Sequence, residues 1–171
     1  MVLRGALLAG GLVWAAVIPL AAFAATRPAG VPAAYGFALA AYAMGRLICH
    51  QLPVRSFHLW GAALPVCARC TGIYAGAAAV ALTVLVARAM PYRAVGSSGV
   101  PRATARRVLI AALVPTALTL VFEWTTGTMP ANWIRALAGF PIGAAAAWLI
   151  ASANLEPRTL NREPRTANRE P

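Results

Sequence analysis

Four apolar stretches dominate the chain, and together they leave it few folds to adopt. They run from Gly5 to Ala25, Gly72 to Ala87, Val108 to Trp124 and Ala136 to Ala153; their one charge is Glu123, at the far end of the third. A helix that crosses a bilayer takes roughly 17–25 apolar residues. The second stretch reaches that length once Cys70, Thr71 and Arg88 extend into the headgroup zone, where an Arg snorkels readily. Sixty per cent of all residues are apolar and 11% are charged, whereas a soluble domain carries about a quarter charged residues to face water. Mean hydropathy is +0.68. The surface is built for a lipid bilayer, and the expected fold class is all-α, a polytopic transmembrane helix bundle of about four spans.

Two segments complicate that count. Arg4 precedes the first stretch and Ala22-Phe23-Ala24 resembles a cleavage site, but the apolar run exceeds a signal core of about 7–15 residues. It reads as an uncleaved helix. Val31 to Ile48 is apolar but carries Pro32, Gly36, Gly45 and Arg46. It reads as an interfacial or re-entrant helix, with a length marginal for a fifth span.

All fifteen basic residues are Arg, and the four acids are Glu123, Glu156, Glu163 and Glu170. In a soluble protein a pI near 11.4 points to nucleic acid. In a membrane protein, Arg at loop ends is a topology signal and a contact for anionic lipid, so nucleic acid is not an expected partner. Five Arg lie between Arg88 and Arg107, among Pro91, Gly96, Ser97, Ser98, Gly99 and Pro101, the marks of a loop. The positive-inside rule puts that loop in the cytoplasm and the uncharged connection from Thr125 to Trp133 outside. Both termini are then cytoplasmic, in a plasma membrane protein crossing four times. The transmembrane domain covers residues 1–153. Residues 154–171 repeat Asn-x-Glu-Pro-Arg-Thr every seven positions; with a Pro in each repeat and no apolar seam they form no coiled coil and read as a disordered tail.

This topology gathers chemistry at the outer face. Cys67 and Cys70 open the second span, Glu123 ends the third, and Asn132 and Arg135 open the fourth. Cys49 and His50 precede the same face, and these are all the cysteines of the chain. A Cys-x-x-Cys at a helix start puts two thiols near the positive end of the helix dipole, which favours thiolate; Arg69 and Arg55 push the same way. Cys49, His50, Cys67 and Cys70 are a full tetrahedral set for a metal, zinc by ligand type. Adjacent residues such as Cys49 and His50 do not easily share one ion, so three thiolates completed by His58, Glu123 or water form a variant. Three further readings stay open: cysteines as buried small apolar residues, a Cys67–Cys70 redox pair resolved by Cys49 in a membrane thiol–disulfide oxidoreductase, and an anion or lipid-headgroup site using Arg46, Arg55, Arg69 and Arg135. Glu123 is either a rim charge held by Arg135 or solvent, or an Arg partner, proton relay or ligand within the bundle; Asn132 and Arg135 cap and anchor the fourth helix or belong to the same second layer. The loop between the two cysteine blocks holds Pro53, Gly61 and Pro65, suited to folding back. Gly72-x-x-x-Gly76 and Gly139-x-x-x-Gly143 lie near the outer ends of parallel spans, where small residues permit close packing. Pro115 and Pro141 are expected kinks.

The string Cys49-His50-Gln51-x-Pro53-x-Arg55-Ser56-Phe57, then Gly61, then Pro65-Val66-Cys67-Ala68-Arg69-Cys70-Thr71-Gly72-Ile73-Tyr74-x-Gly76 resembles domain of unknown function 2085, a family of bacterial predicted membrane proteins. Asn132-Trp133-Ile134-Arg135-Ala136-Leu137-x-Gly139 resembles that family's later motif, and Glu123 falls near an acid that precedes it. The resemblance covers about residues 40 to 153 and leaves out the first helix and the tail. It implies an integral membrane protein with a Cys/His block, and no activity, substrate or cofactor.

Overall fold

A computed structural model describes residues 2–27, 31–89 and 100–152. The tail and the centre of the Arg-rich loop lie outside the described residues. Five helices account for most of the described residues: α1 (Val2–Ala25), α2 (Pro32–Ile48), α3 (Ala68–Ala89), α4 (Arg102–Thr126) and α5 (Asn132–Ser152). Among the described residues, four of them (α1, α3, α4 and α5) are long and apolar enough to cross a membrane. Helix is the element such sequences must form in lipid, because it pairs its backbone groups within the segment. The outward sides are correspondingly greasy: Leu109, Ile110, Leu113, Val114, Leu118, Val121 and Phe122 of α4 are all exposed, which suits hydrocarbon and not water.

Each expected span is present and longer than the apolar run that announced it. Thus α3 takes in Ala68 to Thr71, bringing Cys70 into its first turn and giving 22 residues. The chain runs unbroken through Pro115 in α4 and Pro141 in α5. The segment from Pro32 is a single 17-residue helix, uninterrupted at Gly36 and Gly45, and about 25 Å long at 1.5 Å per residue. It buries a narrow stripe of Ala38, Ala41 and Gly45 and delivers Cys49 at its C-terminus, where the Cys49 N–H donates to the Gly45 carbonyl at 2.9 Å.

The tightest packing joins α3 to α5. A Cβ added to Gly72 would strike the Ala136 carbonyl, one at Gly76 the Phe140 carbonyl, one at Gly139 the Arg69 carbonyl and one at Gly143 the Ile73 carbonyl. The two small-residue motifs therefore face each other reciprocally, and the rising order of the pairs makes the helices parallel. In α1 the order reverses. Ile18 and Ala22 pack with Cys49, Leu64 and Val66, while Leu8 packs with Ala81 and Ala147. In α4, Thr116 donates to the Ala138 carbonyl at 2.7 Å and Glu123 reaches Arg135, again antiparallel to α5. The four long helices alternate in direction, so the start of α1 and the end of α5 lie at one end of the bundle. The N-termini of α3 and α5 share the other end.

Between α2 and α3 the chain folds back as a short hairpin, β1 (His58–Leu59) paired antiparallel with β2 (Ala62–Ala63). Trp60 and Gly61 turn it with positive φ of 53° and 87°, the two left-handed positions that a tight hairpin turn demands. Trp60 then stacks edge-on against Phe23 of α1, centroids 5.2 Å apart. The hairpin closes that end of the bundle and aims Val66, fully buried, and Cys67 inward.

Candidate functional site

Three pieces of chain bring the thiols together. The end of α2 supplies Cys49, the exit of the hairpin Cys67 and the first turn of α3 Cys70. Their sulfurs lie within 4.8 Å of one another, and all three are free thiols. Cys49 is buried against Ile18, Ala22, Leu64 and Val66. Its sulfur accepts the Cys67 N–H at 3.2 Å. The Cys67 carbonyl takes the first helical bond of α3, from the Thr71 N–H at 2.9 Å, so this thiol sits at the positive helix end. The Cys67 thiol is pulled down to about 5, first by the Cys70 thiol donating to it, against burial, and further by the Cys70 N–H and the Cys49 thiol.

Such a trio is close enough to hold a metal ion. Zinc–sulfur bonds of about 2.3 Å in tetrahedral geometry set sulfurs roughly 3.8 Å apart, so small side-chain rotations suffice. His50 is not part of this grouping; it lines the same cavity as the thiols. His58 is exposed on the hairpin and does not line that cavity.

Beside the thiols stands a cage of charge. The Glu123 carboxylate, held in the last turn of α4, meets three guanidiniums: Arg135 of α5 at 3.0 Å, Arg69 of α3 at 3.3 Å and Arg55 of the 3-10 turn Pro53–Arg55 at 3.5 Å. Gly127 ends α4 in the left-handed conformation, its N–H bonding the Glu123 carbonyl at 3.0 Å, a common helix stop. Glu123 is 9% exposed and Arg135 2%. Thr119 accepts a further Arg69 N–H at 3.3 Å. Glu123 is thus paired with Arg, and all three of its partners lie among the residues expected at this face. Arg46 does not join them: it is exposed and outside the cavity lining. Asn132 fixes the start of α5 to the loop, donating to the Ser56 carbonyl at 3.1 Å.

Thiols and cage share one cavity of about 360 Å³, lined by Cys49, His50, Cys67, Cys70, Arg55, Arg69 and Arg135 with Ile48, Gln51, Leu52 and Ile73. Gln51 builds its wall. With φ of 48° it turns the chain sharply after Cys49, and its amide donates to the Tyr42 carbonyl at 2.8 Å and the Pro65 carbonyl at 2.6 Å. That clamp ties the Cys49 strand to the Cys67 strand. Gly45 lets it close, since a Cβ there would collide with the Pro65 carbonyl and the Gln51 amide. Gln51 stands in the cysteine motif and Gly45 among the interruptions of its segment, but residue type and spacing assign neither of them, nor Thr119, these contacts, because the partners are backbone carbonyls and an Arg distant in sequence.

The family model for a predicted membrane protein, DUF2085, matches residues 49–149, from the first cysteine to the last turns of α5. The chain belongs to the DUF2085 family. The match holds every thiol, every member of the Arg–Glu cage and the α3–α5 glycine interface, and leaves α1 and α2 outside. Two further similarities are local. An uncharacterised protein of Methanocaldococcus jannaschii is 60% identical over 35 residues, 20% of this chain and 22% of that protein. An uncharacterised protein of Methanothermobacter thermautotrophicus is 59% identical over 32 residues, 19% of this chain and 29% of that protein. The matched regions thus span less than a third of these curated relatives. Both come from archaea, so the expectation of a bacterial family was too narrow. No solved structure matches the chain.

Proposed function

We propose that this DUF2085 member is a multi-pass plasma-membrane metalloprotein that holds zinc at its extracytoplasmic face through the thiolates of Cys49, Cys67 and Cys70. The observation that carries the reading is the mutual approach of three sulfurs from three separate segments, within 4.8 Å. A disulfide joins two sulfurs at a time and leaves the third as a resolving thiol, whereas a metal engages all three together. The donor set suits zinc, since thiolates favour a borderline-soft ion. The Cys67 N–H on the Cys49 sulfur is the kind of outer bond that orients a ligating atom. Charge favours it too: three thiolates on a divalent ion carry one net negative charge beside an Arg-rich wall.

Cys49, Cys67 and Cys70 would hold the ion at the wall of the cavity, which His50 also lines. Three protein ligands and one open position mark sites that do chemistry, in contrast to closed four-ligand structural sites. When bound, the ion supplies Lewis acidity. The chain's own residues hold it, and Arg55, Arg69 and Arg135 set a positive field around whatever enters. Arg bias supports the outward placement: Arg102, Arg106 and Arg107 begin α4, at the opposite end of the bundle from the thiols.

Metal analysis of detergent-purified protein tests the reading. One zinc per chain is expected in the wild type and well under a tenth of that in Cys67→Ser. A wild type without stoichiometric metal, or a variant that keeps it, defeats the proposal. Conversion of two thiols to a disulfide with no metal present would favour the oxidoreductase.

A further inference from the structure

The cage beside the thiols carries more positive charge than its counter-ion can answer. Three guanidiniums face one carboxylate, which leaves two positive charges in a site walled by helices. The donors are also in surplus. Three Arg offer roughly fifteen N–H groups, and a carboxylate has about four acceptor positions. Among the described residues, the buried Nε–H groups of Arg69 and Arg135 find no hydrogen-bond partner, and Arg135 is only 2% exposed. A buried donor left unmet is costly, so these two show a guanidinium network short of acceptors. Both residues line the 360 Å³ cavity, which is of the size that takes a small molecule. Arg69 and Arg135 lie in the first turns of α3 and α5. These parallel helices turn their positive ends to the same place, an arrangement that attracts anions.

We propose that this cavity binds a phosphate-type oxyanion, free or as a lipid headgroup, on the unused N–H groups of Arg55, Arg69 and Arg135. Planar guanidinium forks match the oxygens of phosphate in pairs, and an anion of this class offsets the surplus charge. Glu123 holds the forks in position while the site is open. Arg55, whose side chain is 39% exposed, forms the rim and is the first group an incoming anion meets. The site does not rest on the metal reading: the unmet donors are present with or without an ion at the thiols, and against a metal centre of one net negative charge the cage still keeps one positive charge in excess.

The test uses full-length protein in detergent, delipidated or as purified, with inorganic phosphate as the probe and chloride at matched ionic strength as the control. Thermal unfolding followed over a phosphate titration is expected to show saturable stabilisation that chloride does not give. Arg55→Gln, at the partly exposed rim, is expected to fold and to bind phosphate about tenfold more weakly; Arg55→Lys, which keeps the charge and loses the fork, is expected to fall between. Phosphorus assay separates the sources. About one phospholipid per chain, displaced by phosphate and reduced in Arg55→Gln, identifies a headgroup site. Phosphate binding without retained phospholipid identifies a free oxyanion site. Stabilisation by phosphate no greater than by chloride in delipidated protein, or equal affinity in Arg55→Gln and wild type, overturns the proposal. Repeating the titration on Cys67→Ser separates this outcome from failure of the metal site.

Discussion

Glu123 ties together residues that are 68 and 12 positions away in the sequence, and its surroundings decide what losing it costs. With 9% exposure and three Arg partners, it is the acid that keeps two largely buried guanidiniums from facing each other unshielded. Removing one member of a buried charged network costs about 3–5 kcal/mol, because the remaining charges stay desolvated. Glu123→Gln is therefore expected to lower stability by about that amount in unfolding experiments in detergent. Arg55→Gln removes the longest and most exposed contact, at 3.5 Å with the Arg side chain 39% exposed, and is expected to cost about 1 kcal/mol or less. Equal losses for the two variants would contradict the placement of Glu123 in the bundle interior. Only part of this was legible beforehand. An isolated acid in an apolar span stands out in any reading, and so does Arg135 nearby in sequence. Arg69 reads first as an activator of the flanking thiols, and only the fold reveals that its side chain reaches Glu123 and Thr119. The Gln51 clamp was wholly hidden, since its partners are the carbonyls of Tyr42 and Pro65, which every residue type possesses.

Among the elements, α3 and α5 form the frame on which the site is mounted. Each carries one Arg of the cage in its first turn and a pair of glycines directly below. Because a Cβ at Gly143 would collide with the Ile73 backbone, Gly143→Ala pushes the helices apart and is expected to destabilise by about 1–3 kcal/mol, as overpacking does. Gly10→Ala in α1, where a Cβ meets nothing within 4 Å, is the matched control and is expected to be neutral or slightly stabilising. Thermal unfolding of the two variants side by side checks this; a neutral Gly143→Ala would contradict the close parallel packing. The glycine spacing did foretell the interface, because backbone proximity needs only the absence of a side chain and sequence displays that directly. The boundaries were less readable. Hydropathy marks where a helix enters apolar surroundings, and α3 and α4 both begin before that point, at Ala68 and Arg102.

For the whole molecule, the alternating directions of α1, α3, α4 and α5 put the thiols, the cage and the hairpin at one end and the start of α1 and the end of α5 at the other. The C-terminal half of α1, although outside the family match, packs Ile18 and Ala22 against Cys49, so the site is roofed by residues from before and within the matched region. The proposed function stands or falls on an outward-facing thiol trio that holds a metal. The most direct measurement is labelling of sealed membrane vesicles by an impermeant maleimide, with and without a chelator and with no reductant added. Right-side-out vesicles are predicted to label at Cys67 and Cys70 only after chelation, and inverted vesicles to stay unlabelled under both conditions. Labelling indifferent to the chelator, or confined to inverted vesicles, would contradict the claim.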